Sequence, residues 1–319
     1  MRDLSLIVPV YRNEASLPDL LAALCALNER LGQRLEVVLV VDGSPDRCYD
    51  ILRQRLPSQP FAATLVLLAR NFGSFAAVRT GLAHATGHWF AVMAADLQEP
   101  PELVEQMFAM LQAKPLDVVV GVRSARQDPA LQRWQAELFW WAYRRWVVPD
   151  MPPGGVDVFA CNRVFRDALL ALEERRSSLI AQIFWLGFRR AELAYERRIR
   201  AHGQSAWTWR KKVSYLSDSV FAFTDLPIRA LLLVGSAGVL AATIVGMLAV
   251  VGRLMGWIAV PGYAMTMVAI LFFGALNLLS VGIVGSYAWR SYENTKQRPQ
   301  ALVLSVRHSG PDRGGAPGV

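Results

Sequence analysis

From Ile228 to Val251 the chain runs for 24 residues with no charge except Arg229 at its edge, and a second apolar stretch runs from Tyr263 to about Tyr287. A helix rises about 1.5 Å per residue, so roughly 20 apolar residues cross the ~30 Å hydrocarbon core of a bilayer. Two such stretches in succession read as two membrane-spanning helices. Gly274, Gly282 and Gly285 permit close approach of helices, and Asn277 and Ser280 read as helix–helix contacts. The intervening loop, Gly252 to Gly262, carries only Arg253, whereas Arg210, Lys211, Lys212 and Arg229 precede the pair and Arg290, Lys296 and Arg298 follow it. The positive-inside rule therefore places both termini, and everything before the spans, on the cytoplasmic side of the inner (plasma) membrane. Just upstream, Trp207 to Phe223 sets Trp209, Val213, Leu216, Val220 and Phe223 at near-helical spacing. That pattern suits a helix lying on a membrane surface and equally one packed on a globular body.

The first two-thirds has a different character. The whole chain is 53% hydrophobic and 19% charged, but the apolar excess falls after Ile228. Leu4–Val10, Glu36–Val41, Thr64–Leu68, His88–Met93 and Asp117–Val122 read as short buried strands. Helices are expected from about Leu17 to Gly32, Ser74 to Ala85 and Glu102 to Leu111, the first with Ser16 and Asp19 as a capping box. This alternation predicts an α/β body with a mainly parallel sheet covered on both faces. The net charge of +8 suits an anionic partner, a membrane surface or phosphate. No Lys/Arg run with interleaved aromatics points to nucleic acid. Cys25, Cys48 and Cys161 are too scattered for a disulfide framework or a zinc site, and His84 and His88 are parted by a helix stop at Gly87. The start runs directly into a strand, so no cleavable leader is expected.

Each early strand ends in a polar cluster: Tyr11–Glu14, Asp42–Asp46, Arg70–Gly73 and Asp96–Glu99. Singly these are ordinary turn residues. Gathered at one edge of a parallel sheet they make a nucleotide site, because ligands of open α/β sheets lie beyond the strands' carboxyl ends. There is no glycine-rich dinucleotide fingerprint and no phosphate-loop lysine, so a diphosphate here calls for a metal and basic side chains. Asp96 and Gln98, two apart, can present two oxygens to one cation if the backbone is extended; an acidic turn with Pro at the following helix start is the plainer alternative. Arg123, Arg126 and Arg133 leave the fifth strand together, which suits phosphate. Asp157 sits among Val156, Val158 and Phe159, where a carboxylate needs a partner.

Taken together, Pro9-Val10-Tyr11, Asp42-Gly43-Ser44, Arg70-Asn71-Phe72-Gly73, Asp96-Leu97-Gln98-Glu99-Pro100-Pro101 and Gly121-Val122-Arg123 resemble family 2 glycosyltransferases, in particular the polyprenyl-phosphate glycosyltransferases. The resemblance spans about residues 4 to 300. It implies a GT-A-like domain at 1–205, an amphipathic interfacial helix at 206–227 and a two-helix membrane domain at 228–289; the tail at 290–319 is expected in the cytoplasm, with the polar, Gly- and Pro-rich stretch from Arg307 disordered. It also implies single-sugar transfer, with inversion, from a nucleotide-sugar to polyprenyl (undecaprenyl) phosphate, for modification of cell-envelope glycans; UDP-glucose is the first choice of donor.

By the same resemblance, Pro9, Tyr11, Glu14 and Asp42 hold base and ribose, while Arg70 and Asn71 line the cleft. Asp96 and Gln98 match the family's ligands for Mg2+ or Mn2+, and Asp96 and Asp157 are the expected catalytic residues. Arg123, Arg126 and Arg133 receive the lipid phosphate, and Arg200 and Ser205 match a late motif on that side. A homo-oligomer, a tetramer in the family, is implied too. Three positions depart from the family pattern: Ala94 for an Asp, Val156 for a Gly, and Ala206 for a Lys. Two rival readings remain. One is a processive glycan synthase, although its QxxRW motif fails because Ala130 stands three before Arg133. The other is a silent nucleotide-sugar-binding membrane protein.

Overall fold

The computed structural model describes residues 3–123, 141, 143–145, 147–152, 155–174, 177–198, 218–255 and 262–310. It divides into one unit of Met1–Val213 with Arg298–Val319 and a second of Ser214–Gln297.

The first unit is an eight-stranded sheet. Its strands are β1 (Leu4–Val10), β2 (Leu35–Val41), β3 (Ala62–Leu68), β4 (Trp89–Val92), β5 (Val118–Arg123), β6 (Val156–Asn162), β7 (Arg190–Tyr195) and β8 (Val303–Ser309), in the order β7-β5-β6-β4-β1-β2-β3-β8. β4, β1, β2 and β3 are mutually parallel, as are β5 and β7, whereas β6 and β8 run antiparallel to their neighbours. All seven residues of β2 are buried, as a central strand covered on both faces must be. Helix α1 (Leu17–Arg30) buries Leu17, Leu20, Leu21, Leu24 and Leu27 at helical spacing, and α4 (Pro101–Ala113) buries Leu103, Val104, Met107, Phe108 and Leu111. Both helices feed one apolar core with β1, β2 and β3. Helices α2 (Cys48–Arg55), α3 (Ser74–His84), α5 (Arg163–Ala171) and α6 (Leu179–Trp185) also belong to this unit. The expected mainly parallel α/β body is present.

Two local expectations fail, and one strand was not anticipated. Ser16 stands at the start of α1 without a side-chain cap bond; its hydroxyl instead donates to the carbonyls of Asn13 (3.0 Å) and Ala95 (3.2 Å), tying the β1 loop to the β4 loop. The basic stretch from Arg189 contains a strand, β7, whose Arg-Ala-Glu-Leu-Ala-Tyr composition carries little apolar signal. Arg307, His308 and Ser309, expected in a disordered tail, belong to β8 and pair with β3. Side chains hold β8 there: Tyr49 and Ser305 hydroxyls lie 3.0 Å apart, Arg307 Nε donates to the Tyr49 hydroxyl at 3.2 Å, and His308 Nδ1 lies 3.1 Å from Thr64 Oγ1.

The second unit contains α7 (Leu226–Leu254) and α8 (Tyr263–Thr295). Leu226–Leu248 and Phe272–Thr295 are long and apolar enough to cross a membrane, and neither is buried by protein. Of the expected surface helix only the end is described: residues 218–223 are helical. They are pinned to α8 by an Arg290–Asp218 hydrogen bond of 2.7 Å and by Phe221 edge-on to Tyr287, with ring centroids 5.3 Å apart. Ser280 makes no helix–helix bridge; its hydroxyl donates to Leu276 O, one turn back in the same helix.

Candidate active site

The carboxyl ends of β1, β2 and β3 are locked together by their own backbones. Asp42 N donates to Val10 O at 3.0 Å. Gly43 has φ 54°, and a Cβ there would lie 2.2 Å from the carbonyl carbon of Arg70, so the β2 loop touches the β3 loop backbone to backbone. Asp42 is only 2% exposed. Its carboxylate accepts from Phe72 N at 2.7 Å and Gly73 N at 2.9 Å, where α3 begins, while Asn71 Nδ2 donates to its carbonyl at 3.3 Å. Burial pushes this carboxyl upward, against the pull of those two N–H groups and of Arg70. Arg70 lies over the Phe72 ring, 4.2 Å from its centroid.

On the β1 side, Arg12 is left-handed at φ 56° and donates its N–H to Ser44 Oγ at 2.7 Å. Glu14 accepts from Arg47 N at 3.0 Å. Tyr11 N donates to Asn13 Oδ1 at 3.0 Å, and Pro9 sits in β1 opposite Val40. Pro9, Tyr11, Glu14, Asp42, Arg70 and Asn71 thus come to one edge of the sheet. Asp42 and Glu14, expected on base and ribose, have their carboxylates in bonds that also shape the loops.

The Asp96 loop is not extended as the spacing argument assumed. It turns, with Leu97 left-handed at φ 54° and Gln98 N donating to Asp96 Oδ1 at 3.3 Å. Gln98 Oε1 accepts from Arg197 Nη2 at 2.6 Å, and Arg198 N donates to Gln98 O at 2.9 Å. Next to it Glu99, 2% exposed, accepts from Ala94 N at 3.3 Å and lies 4.0 Å from Arg197 Nε. Burial, reinforced by Asp157 and Asp96 and opposed by Arg197 and the Ala94 N–H, pushes the Glu99 carboxyl up to about 7.

Across from this loop Asp157, at the start of β6, meets Arg123, at the end of β5. Arg123 grips it with two parallel bonds, Nε to Oδ2 and Nη2 to Oδ1, the latter 2.7 Å, and Tyr195 at the end of β7 donates its hydroxyl to Oδ2 at 2.8 Å. Burial raises the Asp157 carboxyl, but the bonds and charge of Arg123, the charge of Arg197 and the Tyr195 bond outweigh it, leaving a net shift below the usual carboxylate range. The Tyr195 phenol is driven upward by burial and by Asp157 and Glu99. Arg123, assigned from sequence to the lipid phosphate, is bonded to Asp157 in this structure, beside the register shift between β5 and β6 at Gly121 and Val122. Arg126, Arg133, Arg200 and Ser205 lie outside the described residues. Glu99, Tyr195 and Arg197 were not singled out in the sequence; a second acid, next to the Asp-x-Gln pair, was the available signal for the first.

Among the described residues no group of three or more His, Cys, Asp or Glu side chains is set to hold a metal alone. Asp96 and Gln98 would offer a cation a two-oxygen half-site, and the carboxyls of Glu99 and Asp157 lie within electrostatic reach of that loop. Hard divalent cations in nucleotide sites take one or two protein oxygens and complete their shell with phosphate and water. The residues fit such an ion.

The sequence profile of Glycosyl transferase family 2 matches residues 5–171. An uncharacterized glycosyltransferase of Synechocystis sp. is 31% identical over 312 residues, covering 95% of each chain. Undecaprenyl-phosphate 4-deoxy-4-formamido-L-arabinose transferase of Pseudomonas aeruginosa is 34% identical over 311 residues, covering 96% of this chain and 91% of that one. Among solved structures, mannosyl-3-phosphoglycerate synthase from Rubrobacter xylanophilus superposes with a TM-score of 0.48 at 14% identity, covering 68% of this chain and 72% of that one. With more than half its length inside the profile and relatives matching nearly end to end, the chain belongs to glycosyl transferase family 2.

Proposed function

We propose that this glycosyltransferase moves one sugar from a nucleotide-sugar to a polyprenyl phosphate, undecaprenyl phosphate in the first instance, at the cytoplasmic face of the plasma membrane. The carrying observation is the meeting of the Asp96–Glu99 loop with the Arg123–Asp157–Tyr195 cluster at the strand ends. The relatives' names support the lipid acceptor, and their sugar, 4-deoxy-4-formamido-L-arabinose, ranks ahead of the UDP-glucose that the sequence alone suggested. The two apolar helices and the surrounding Lys/Arg asymmetry support a two-span protein with its sheet domain and both termini in the cytoplasm. The family resemblance supports a homo-oligomer.

Asp96 and Gln98 are the residues that would hold a Mg2+ or Mn2+ ion, which supplies charge neutralisation for the departing nucleoside diphosphate. The acceptor phosphate has a second pKa of about 6, so at neutral pH it is largely a dianion and needs no strong base. Its oxygen forms the new bond to the anomeric carbon as the bond to the diphosphate breaks, which inverts that centre. Asp157, held ionised by Arg123, is a fixed negative charge beside a carbon that gains oxocarbenium character. Arg123 is placed to share its fork between Asp157 and an incoming phosphate.

The test is transfer by the full chain in detergent, with undecaprenyl phosphate, a panel of nucleotide-sugars and mass spectrometry of the lipid product. One added sugar is expected. A long polymer would establish a processive synthase, and donor binding without transfer a silent binder. Asp96→Ala is expected to lower transfer at least about hundredfold with unchanged thermal unfolding; wild-type-like transfer removes Asp96 from the mechanism. A product that keeps the donor's anomeric configuration overturns inversion.

A further inference from the structure

Gln98 Oε1, one of the two oxygens in the cation half-site, is engaged by the guanidinium of Arg197 at 2.6 Å. The segment that carries Arg197 is sewn to the same loop at several points. Arg198 N donates to Gln98 O at 2.9 Å, Gln98 Nε2 donates to Arg198 O at 3.5 Å, and Arg198 Nη2 donates to Glu102 Oε2 at 3.2 Å. The loop's shape thus depends on the chain just after β7. Arg197 Nε is buried with no hydrogen-bond partner among the described residues and lies 4.0 Å from Glu99 Oε1, short of a hydrogen bond. The guanidinium therefore stands between two acceptors on adjacent residues, bonded to the amide and out of reach of the carboxylate.

The guanidinium takes one of the two lone pairs of the amide oxygen, and a cation on the other would stand close to that positive charge, where the two repel strongly in a partly buried site. We infer that Arg197 is a positioning residue that reserves Gln98 Oε1 and transfers to Glu99 when a divalent cation takes the amide oxygen. The inference rests on the proposed cation site. Arg197 then satisfies its orphaned Nε and neutralises Glu99, so the exchange replaces one charge-assisted bond by another. It also links the loop that holds the donor to the chain leading out of β7, through a side chain that touches both.

The test uses the purified full-length protein in detergent and Mn2+ alone, read by the electron paramagnetic resonance signal of the free ion, so that no turnover is needed. Wild type, Asp96→Ala, Gln98→Ala, Arg197→Ala and the Gln98→Ala/Arg197→Ala double variant are compared. Arg197→Ala is expected to bind Mn2+ about threefold to tenfold more tightly than wild type, because its competitor for Gln98 is gone. In the Gln98→Ala background the same substitution is expected to tighten binding markedly less, because the contest for the amide oxygen is already gone. Equal tightening in both backgrounds overturns the inference, since it would report only the loss of a nearby positive charge; unchanged or weaker binding by Arg197→Ala overturns it as well. If wild type and Asp96→Ala bind Mn2+ alike, the cation site itself is absent, a failure distinct from these. Arg197→Met, which keeps the stem without the fork, replaces Arg197→Ala if that variant does not fold.

Discussion

Gly43 has little freedom to change, since its backbone is left-handed at φ 54° and leaves no room for a Cβ beside Arg70. Gly43→Ala is expected to cost about 2–4 kcal/mol through strain and forced separation of the β2 and β3 loops. Thermal unfolding measures that loss, and weakened nucleotide-sugar binding should accompany it because Asp42, Asn71 and Phe72 move with the loops. At this scale, sequence reading recovers residues whose type is improbable in its surroundings. Asp157 among Val156, Val158 and Phe159 needed a counter-charge, and the structure supplies Arg123. Asp96 and Gln98 were singled out by spacing, but the left-handed Leu97 that turns their loop was not legible. Arg197 was hidden because it is one of several arginines in a basic run, and only the placement of β7 distinguishes it from Arg198. Tyr195 was hidden because only the placement of β7 sets its hydroxyl beside Asp157.

Elements at the centre of the sheet were readable from their unbroken apolar runs; those at its edges were not. β7 lacks such a run, and a side-chain network helps to hold it. Arg189 donates from N (3.2 Å) and Nε (2.9 Å) to Asp117 Oδ2 and from Nη2 (3.0 Å) to Oδ1, while Asn162 Nδ2 adds a bond of 2.9 Å from the end of β6. These bonds, those from Arg189 foremost, hold the Asp117 carboxyl below its usual range despite burial. A carboxyl with a depressed native pKa lends stability that is complete above its unfolded value and vanishes as pH falls through the native one. Arg189 is 64% exposed, so solvent screens the pair. Asp117→Asn is therefore expected to lower stability at pH 7 by about 1 kcal/mol. The gap between variant and wild-type melting temperatures should close as the buffer is taken below the ordinary carboxylate range. A gap that persists in acid would mean that geometry, not charge, carries the effect.

At the scale of the molecule, the α/β body and the two apolar helices were legible because each follows from composition and period over long windows. The return of the chain to the sheet was not. β8 is short, carries Arg307, His308 and two serines, and shows its purpose only beside the exposed edge of β3. A chain ending at Arg298 would leave that edge with a row of unpaired backbone groups. Such a truncation is expected to unfold at lower temperature and to run as aggregates by size exclusion with light scattering, whereas a monodisperse, equally stable product would show that β8 is dispensable. The pairing of β3 with β8 also imposes a rule of parity. Residues 62–68 and 303–309 share hydrogen bonds and so occupy one compartment, which obliges whatever lies between them to cross any bilayer an even number of times. On the proposed two-span reading, a variant that lost one of α7 and α8 would carry its last strand to the opposite side and leave the sheet unfinished, so the two helices can be kept or lost only as a pair.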